Sequence, residues 1–388
     1  MLFSRSVVKE VPLKKILLGG ENDLPGYKYS LMTGNFVRPS TRVEDGPHAL
    51  LLKQYDKIGD SIFDDEIFKK TDYYINARDC IELFGEYFPK ITSEDKILNC
   101  AQRFVKLYKN ESVDGFLSEG HSKDGEIIEL APIQDSDCYQ LIQGNHRCAF
   151  AVASGKSHIK AKILKKKITR TPVQFLLENL QWEDGDRILY QPLACPELES
   201  RWVLARRCSD RFGKMHSFLK KNCSDARSVL DLGSYYGWFV NEFGKAGYDA
   251  FGVEKDNTAI MVGNIFFEKT RNKIFKNEIV RFLTTCEQYD AVCCLSIMHH
   301  FVTGRIPGVA EHMLHLLDDA TKSVLFFEMA DSHEQWFAES LAGWTVDSIE
   351  AWVLKNSTFE HAVRLGADND GVGAFKGNFG RTLIAFTR

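Results

Sequence analysis

The stretch Ser228-Val229-Leu230-Asp231-Leu232-Gly233-Ser234-Tyr235-Tyr236-Gly237 constrains this chain more than any other. Val229, Leu230 and Leu232 suit a strand buried on both faces, as in a parallel sheet. Gly233 and Gly237 allow backbone conformations and close approaches that a Cβ would block. Trp238 to Lys245 then continues as a helix, so the stretch reads as strand, glycine turn and helix mouth. That arrangement accommodates a nucleoside-containing cofactor.

A dinucleotide site would place three glycines at G-x-G-x-x-G and seat a pyrophosphate on the helix N-terminus. Here the pattern is Asp231-x-Gly233-x-x-x-Gly237, with an acid inside the strand and tyrosines in the loop. A second apolar run, Ala250-Phe251-Gly252-Val253, ends in Glu254, and a carboxylate there can accept two hydroxyl donors. A third run, Tyr289-Asp290-Ala291-Val292-Cys293-Cys294-Leu295-Ser296, supplies a further strand opening toward the same place.

In order and spacing, these elements resemble the class I S-adenosylmethionine-dependent methyltransferases. The resemblance implies S-adenosyl-L-methionine as cofactor. It also implies contacts from Asp231, Gly233, Ser234, Tyr235, Gly237, Glu254, Leu295 and Ser296, with Glu254 on the ribose. The expected fold class is α/β, a Rossmann-like doubly wound sheet with helices on both faces, preceded by a smaller α+β domain. Helices are expected at Pro172 to Gln181, Phe212 to Lys221, Asn257 to Asn272 and Arg305 to Leu317, and strands at Ser323 to Phe327 and Arg381 to Thr387.

The 388 residues exceed one typical core, so two domains are expected, at 1–168 and 169–388. Between them, Lys160, Lys162, Lys165, Lys166, Lys167 and Arg170 crowd the segment before Pro172. That reads as a strand edge and linker with a solvated face in preference to a phosphate-attracting strip. A hydrophobic share of 44% and a net charge of -4 argue against a nucleic-acid partner and against an anionic membrane surface. Ten scattered cysteines without a C-x-x-C pair predict reduced thiols and no zinc or other metal site. No run of about 18 apolar residues is present to span a bilayer. Met1 to Lys15 also lacks a signal-peptide core, and a cytoplasmic protein is expected.

The amino-terminal part has its own signature. The strand-like Cys138 to Gln143 runs into Gly144-Asn145-His146-Arg147, an alanine-rich helix and a return strand at Ile159 to Ile163. Positive side chains at a helix N-terminus make an anion site. The box resembles that of the ParB/sulfiredoxin-like fold over residues 110 to 165, with a helical insertion before it. The resemblance implies that Gly144, Asn145, His146 and Arg147 hold ATP, another nucleotide or a phosphate. Sulfiredoxins place a catalytic cysteine just before the His-Arg pair, where this chain has Asn145. Tyr73, Tyr74, Tyr87 and Phe88 lie in helical segments and read as core packing before an acceptor pocket.

Catalysis turns on Leu295-Ser296-Ile297-Met298-His299-His300-Phe301. Methyl transfer needs the acceptor positioned and, for a hydroxyl, its proton removed, and His299 or His300 falls just past a strand end with suitable chemistry. The Asn/Asp-Pro-Pro-Tyr/Phe box of amino-methyltransferases is missing at this position, which turns the reading toward oxygen of a small molecule or glycan. With Val324 to Ala330 and Trp336, the segment also resembles the methyltransferase half of enzymes of bacterial surface-polysaccharide biosynthesis, some of which join a kinase to a methyltransferase. An alternative makes the first domain a kinase that phosphorylates the acceptor before methylation. An anionic acceptor would need cationic positioning, for which Arg364 and Arg381 are candidates. A nucleic-acid-binding adaptor with a degenerate methyltransferase fold is the non-enzymatic alternative. Neither the acceptor nor the oligomeric state can be read from these motifs.

Overall fold

A computed structural model describes residues 7–18, 40–87, 91–110, 127–180, 187–306, 309–335, 337–377 and 380–388, without the side chains of 83 and 84. Phe88, Trp336, Arg38, Pro39 and part of the 110–165 segment lie outside the described residues. The chain divides into two compact units, Met1–Glu178 with Cys195–Arg201, and Asn179–Ala194 with Trp202–Arg388.

The first unit holds a mixed five-stranded sheet in the order β1-β5-β3-β4-β2. Its strands are β1 (Val7–Pro12), β2 (Ile16–Leu17), β3 (Glu129–Pro132), β4 (Tyr139–Gln143) and β5 (His158–Ile163). β4 passes through Gly144 into the helix Asn145–Ala153, which returns to β5. Gly144 has φ 109°, and an added Cβ would sit 2.8 Å from the Ile128 side chain, so only glycine fits this turn. The lysine-rich β5 is flanked by β1 and β3, and so is an interior strand where an edge was expected. Its alternation buries Ile159 and Ala161 and leaves Lys160 exposed, while Lys162 pairs with Glu129 at 2.5 Å. Tyr73, Tyr74 and Tyr87 are buried in the helical part of this unit, as core residues.

The second unit contains a two-stranded parallel pair, β6 (Ile188–Leu189) and β7 (Val203–Leu204). Its main sheet comprises β8 (Ser228–Leu232), β9 (Asp249–Glu254), β10 (Ile274–Lys276), β11 (Tyr289–Leu295), β12 (Thr321–Glu328), β13 (His361–Ala367) and β14 (Thr382–Thr387). The order is β10-β9-β8-β11-β12-β14-β13. β10 through β12 run parallel in that order, but β14 is antiparallel to β12 and to β13, so the sheet is mixed at this edge.

Both faces of the sheet are covered. Leu230, Leu232, Val292 and Cys294 join one apolar cluster, and Val229, Ala291 and Cys293 join the other. The adjacent Cys293 and Cys294 therefore project to opposite faces, and all ten cysteines are free. No helix among the described residues is long and apolar enough to cross a membrane, and no metal-holding cluster is found among them.

Two helices depart from their expected bounds. Asn257–Phe266 stops where Phe267 turns extended, at φ -118° and ψ 113°. The helix expected over 305–317 is instead Ala310–Ala320, and a separate short helix, Met298–Val302, ends before Gly304 at φ 71°. That break leaves Arg305 on a loop.

Candidate active site

The carboxyl ends of β8, β9 and β11 surround a cavity of about 510 Å³, within the size range of small-molecule sites. Gly233, Tyr235, Glu254, Leu295, Ser296, His299 and His300 line it, all of them expected from sequence. Tyr190, Ile297, Arg305, Glu334, Phe337, Phe375 and Arg381 complete the wall.

Gly233 adopts φ 61°, where a side chain would be strained, and an added Cβ would lie 3.1 Å from Ile297. Two side-chain-bearing residues share that region, Tyr235 at φ 55° and Ser296 at φ 60°. Such residues cost on the order of 1–3 kcal/mol each and persist where surroundings over-determine them.

Glu254 is the fixed point of the donor side. Its Oε2 accepts the Tyr235 N–H at 3.0 Å and its Oε1 accepts the Asp256 N–H at 2.8 Å. Each oxygen keeps acceptor capacity toward the cavity. Gln191 occupies the glycine turn from the other side, its Oε1 accepting the Trp238 N–H at 3.4 Å and its Nε2 donating to the Ser234 carbonyl at 3.3 Å. The amides that would greet a pyrophosphate are therefore already engaged by Glu254 and Gln191.

Three expected cofactor residues do not reach the wall. Asp231 is buried in β8 with Oδ2 unpartnered, and burial pushes its pKa up to about 8. Ser234 is fully buried against Gly252, where a Cβ would meet Ser234 Oγ at 2.6 Å. Gly237, at φ 80°, faces Ile274 and Thr270. These residues shape the turn from behind.

The two histidines differ. His299 is buried, and its Nδ1 accepts the Ala330 N–H at 3.3 Å, which leaves the proton of the neutral ring on Nε2. Burial, then Arg381 and His300, lowers its pKa to about 2, so it is a hydrogen-bond donor and not a base. His300, half-buried, is also lowered, by burial first and then by Arg305, Arg381 and Lys255.

Behind the cavity lies a charge network that sequence reading missed. Glu328, fully buried at the end of β12, meets Arg211 at 2.9 Å, Arg381 at 3.3 Å and Arg206 at 3.4 Å. Arg206 also reaches Asp368 at 2.5 Å, and Arg211 reaches Asp370 at 2.9 Å. Burial alone would raise the Glu328 pKa, but the three arginines hold it far below the carboxylate range. Ser296 Oγ links this network to the cavity, accepting from Arg206 at 3.0 Å and from Arg381 at 2.9 Å. Arg381 grips Glu334 with Nε at 2.7 Å and Nη2 at 2.9 Å. Arg364 is instead exposed and pairs with Asp347 and Glu350, off the cavity wall. One available signal for Glu328 was an acid closing the apolar run Val324 to Phe327, as Glu254 closes β9.

Residues 204–364 match the family model described as a methyltransferase domain. That stretch lies within the second unit, which is thus similar to methyltransferase domains there. Among solved structures, WbdD, described elsewhere as a bifunctional kinase-methyltransferase, is 20% identical over 55% of this chain and 46% of its own, with TM-score 0.42. The chain thus matches less than half of WbdD's length. Magnesium protoporphyrin IX methyltransferase from Synechocystis PCC 6803 with bound SAM is 14% identical over 46% of this chain and 81% of its own, with TM-score 0.33. The methyltransferase domain of bacterial CtHen1 is 18% identical over 46% of this chain and 98% of its own, with TM-score 0.34. No curated protein matches the chain in sequence.

In the first unit, the candidate box occupies the start of the helix Asn145–Ala153. Asn145 Nδ2 lies 3.3 Å from His48 Nδ1. The His146 ring stands 4.6 Å from that of Phe104 and 5.0 Å from that of His48. Burial of the ring lowers the His146 pKa to about 4, although the residue as a whole is exposed to solvent.

Proposed function

We propose that this chain is a methyltransferase that uses S-adenosyl-L-methionine and transfers its methyl group to an oxygen of a small molecule or glycan, as in polysaccharide biosynthesis. Bound, the cofactor supplies an electrophilic methyl on a sulfonium. Glu254 takes the ribose hydroxyls on its remaining lone pairs, while Gly233, Tyr235, Leu295 and Ser296 form the donor's floor and walls. Asp231, Ser234 and Gly237 hold the turn in shape. His299 Nε2–H and His300 face the acceptor half, where they orient it for in-line attack. The observation that carries this reading is Glu254 on the cavity wall, beside a glycine turn whose amides are already bonded.

Calorimetry with S-adenosylhomocysteine tests it. The native chain should bind, Glu254→Gln and Glu254→Ala should weaken binding about 10- to 100-fold, and NAD should not compete. Absence of binding by the native chain, or full affinity in both variants, rejects the assignment.

For residues 1–168 the proposal is a ParB/sulfiredoxin-like domain that holds a nucleotide or phosphate at Gly144, Asn145, His146 and Arg147. The strand, positive-φ glycine and helix order supports it. ATP in the same calorimeter reports on that site.

A further inference from the structure

The chain passes from one unit to the other more than once. Asn179–Ala194 belongs to the second unit, Cys195–Arg201 to the first, and Trp202–Arg388 to the second again. Each end of this excursion makes contacts within its own unit. In the second unit, Tyr190 lines the cavity, while Gln191 bonds the Trp238 N–H and the Ser234 carbonyl of the glycine turn. In the first unit, Glu197 is fully buried, and its Oε1 accepts the Ser40 hydroxyl at 2.6 Å and the Thr171 hydroxyl at 3.2 Å. Cys195 and Leu198 are buried as well, and Arg42 pairs with Glu199 at 3.1 Å.

Stability does not account for an acid at position 197. Two hydroxyls hold it, and its Oε2 has no hydrogen-bond partner among the described residues. Burying a carboxylate with so little compensation is costly, and a well-packed apolar residue would serve a core better. Ser40 itself sits at φ 69°, where a residue with a side chain is strained. What the arrangement does fix is the far end of the excursion. Pro192, Leu193 and Ala194 alone separate Gln191 from that buried stretch, and the proline ring locks one of the few torsions that could take up slack.

We infer that Glu197 is a positioning residue for the donor site. By clamping Cys195–Arg201 in the first unit it holds Gln191 on the glycine turn, and so keeps the turn in the shape that receives the cofactor. This role rests on the donor reading above.

Calorimetry of the full chain with S-adenosylhomocysteine, arranged as a double-mutant cycle, tests it. Gln191→Ala and Glu197→Ala should each weaken binding about three- to tenfold. The double variant should bind no more weakly than the weaker single variant, since both changes release the same contact. Glu197→Gln keeps an accepting oxygen for Ser40 and Thr171 and should bind like the native chain. Ser40→Ala, which removes the shorter bond without emptying the site, takes the place of Glu197→Ala if that variant does not fold. Full affinity in either single alanine variant, losses that multiply in the double variant, or an equal loss in Glu197→Gln overturns the inference. If the native chain does not bind S-adenosylhomocysteine, the donor reading falls instead.

Discussion

At the scale of single residues, the donor side is built from conformations and charges that a strand-turn-helix can set locally. Gly233 and Gly237 take the positive φ values their residue type allows, and Glu254 is placed by the end of its own strand. Asp231 shows the cost of that arrangement. Its folded pKa of about 8 lies above the unfolded value of about 3.9. The native state therefore keeps a proton that the unfolded chain has released, and this group's contribution to stability falls as pH rises from about 4 to 8. Asp231→Asn should flatten that dependence. Urea denaturation at pH 6 and pH 8 should show the native chain losing on the order of 2 kcal/mol relative to the variant; parallel behaviour of the two would mean that Asp231 is ionised in the fold. Ser296 was legible as a strand end, but its role was not, because its partners Arg206, Glu328 and Arg381 are remote in the chain.

Among elements, the helix Asn257–Phe266 is what presses the turn into shape. Gly263 lies in its interior, where glycine costs about 1 kcal/mol relative to alanine. The reason is contact: a Cβ there would stand 2.1 Å from the Tyr236 carbonyl oxygen. Gly263→Ala should thus destabilise the protein by about 1–3 kcal/mol through overpacking and lower S-adenosylhomocysteine affinity by shifting the turn. A variant with native melting and native affinity would show that the helix yields freely. Periodicity located most strands and helices of this unit, since buried runs and helix caps are local signals. It missed β13 and the antiparallel edge, because strand direction depends on how the chain returns to the sheet. The interior position of β5 was hidden for the same reason, as β1 enters the sheet from the far end of the sequence.

For the molecule as a whole, the second unit is organised around one buried carboxylate. Glu328 draws in arginines at 206, 211 and 381, and these position Ser296 and Glu334 at the cavity. Glu328→Gln would leave buried guanidinium groups undercompensated, and a loss of about 3–5 kcal/mol is expected in chemical denaturation. A loss under 1 kcal/mol would show that Asp368, Asp370 and Glu334 suffice. Because its folded pKa is depressed, Glu328 stabilises the protein above its unfolded pKa near 4.3. That contribution is lost as pH falls through the folded value. The sequence by itself determined the strand, the glycine turn and the acid at Glu254, because these follow from short-range backbone and patterning rules within one strand-turn-helix-strand unit. Tertiary structure alone decided the rest of the cavity wall. Arg305, then Glu334 and Phe337, then Phe375 and Arg381 come from three separate stretches of chain, and whether an arginine there is paired depends on through-space distances to carboxylates far away in the chain.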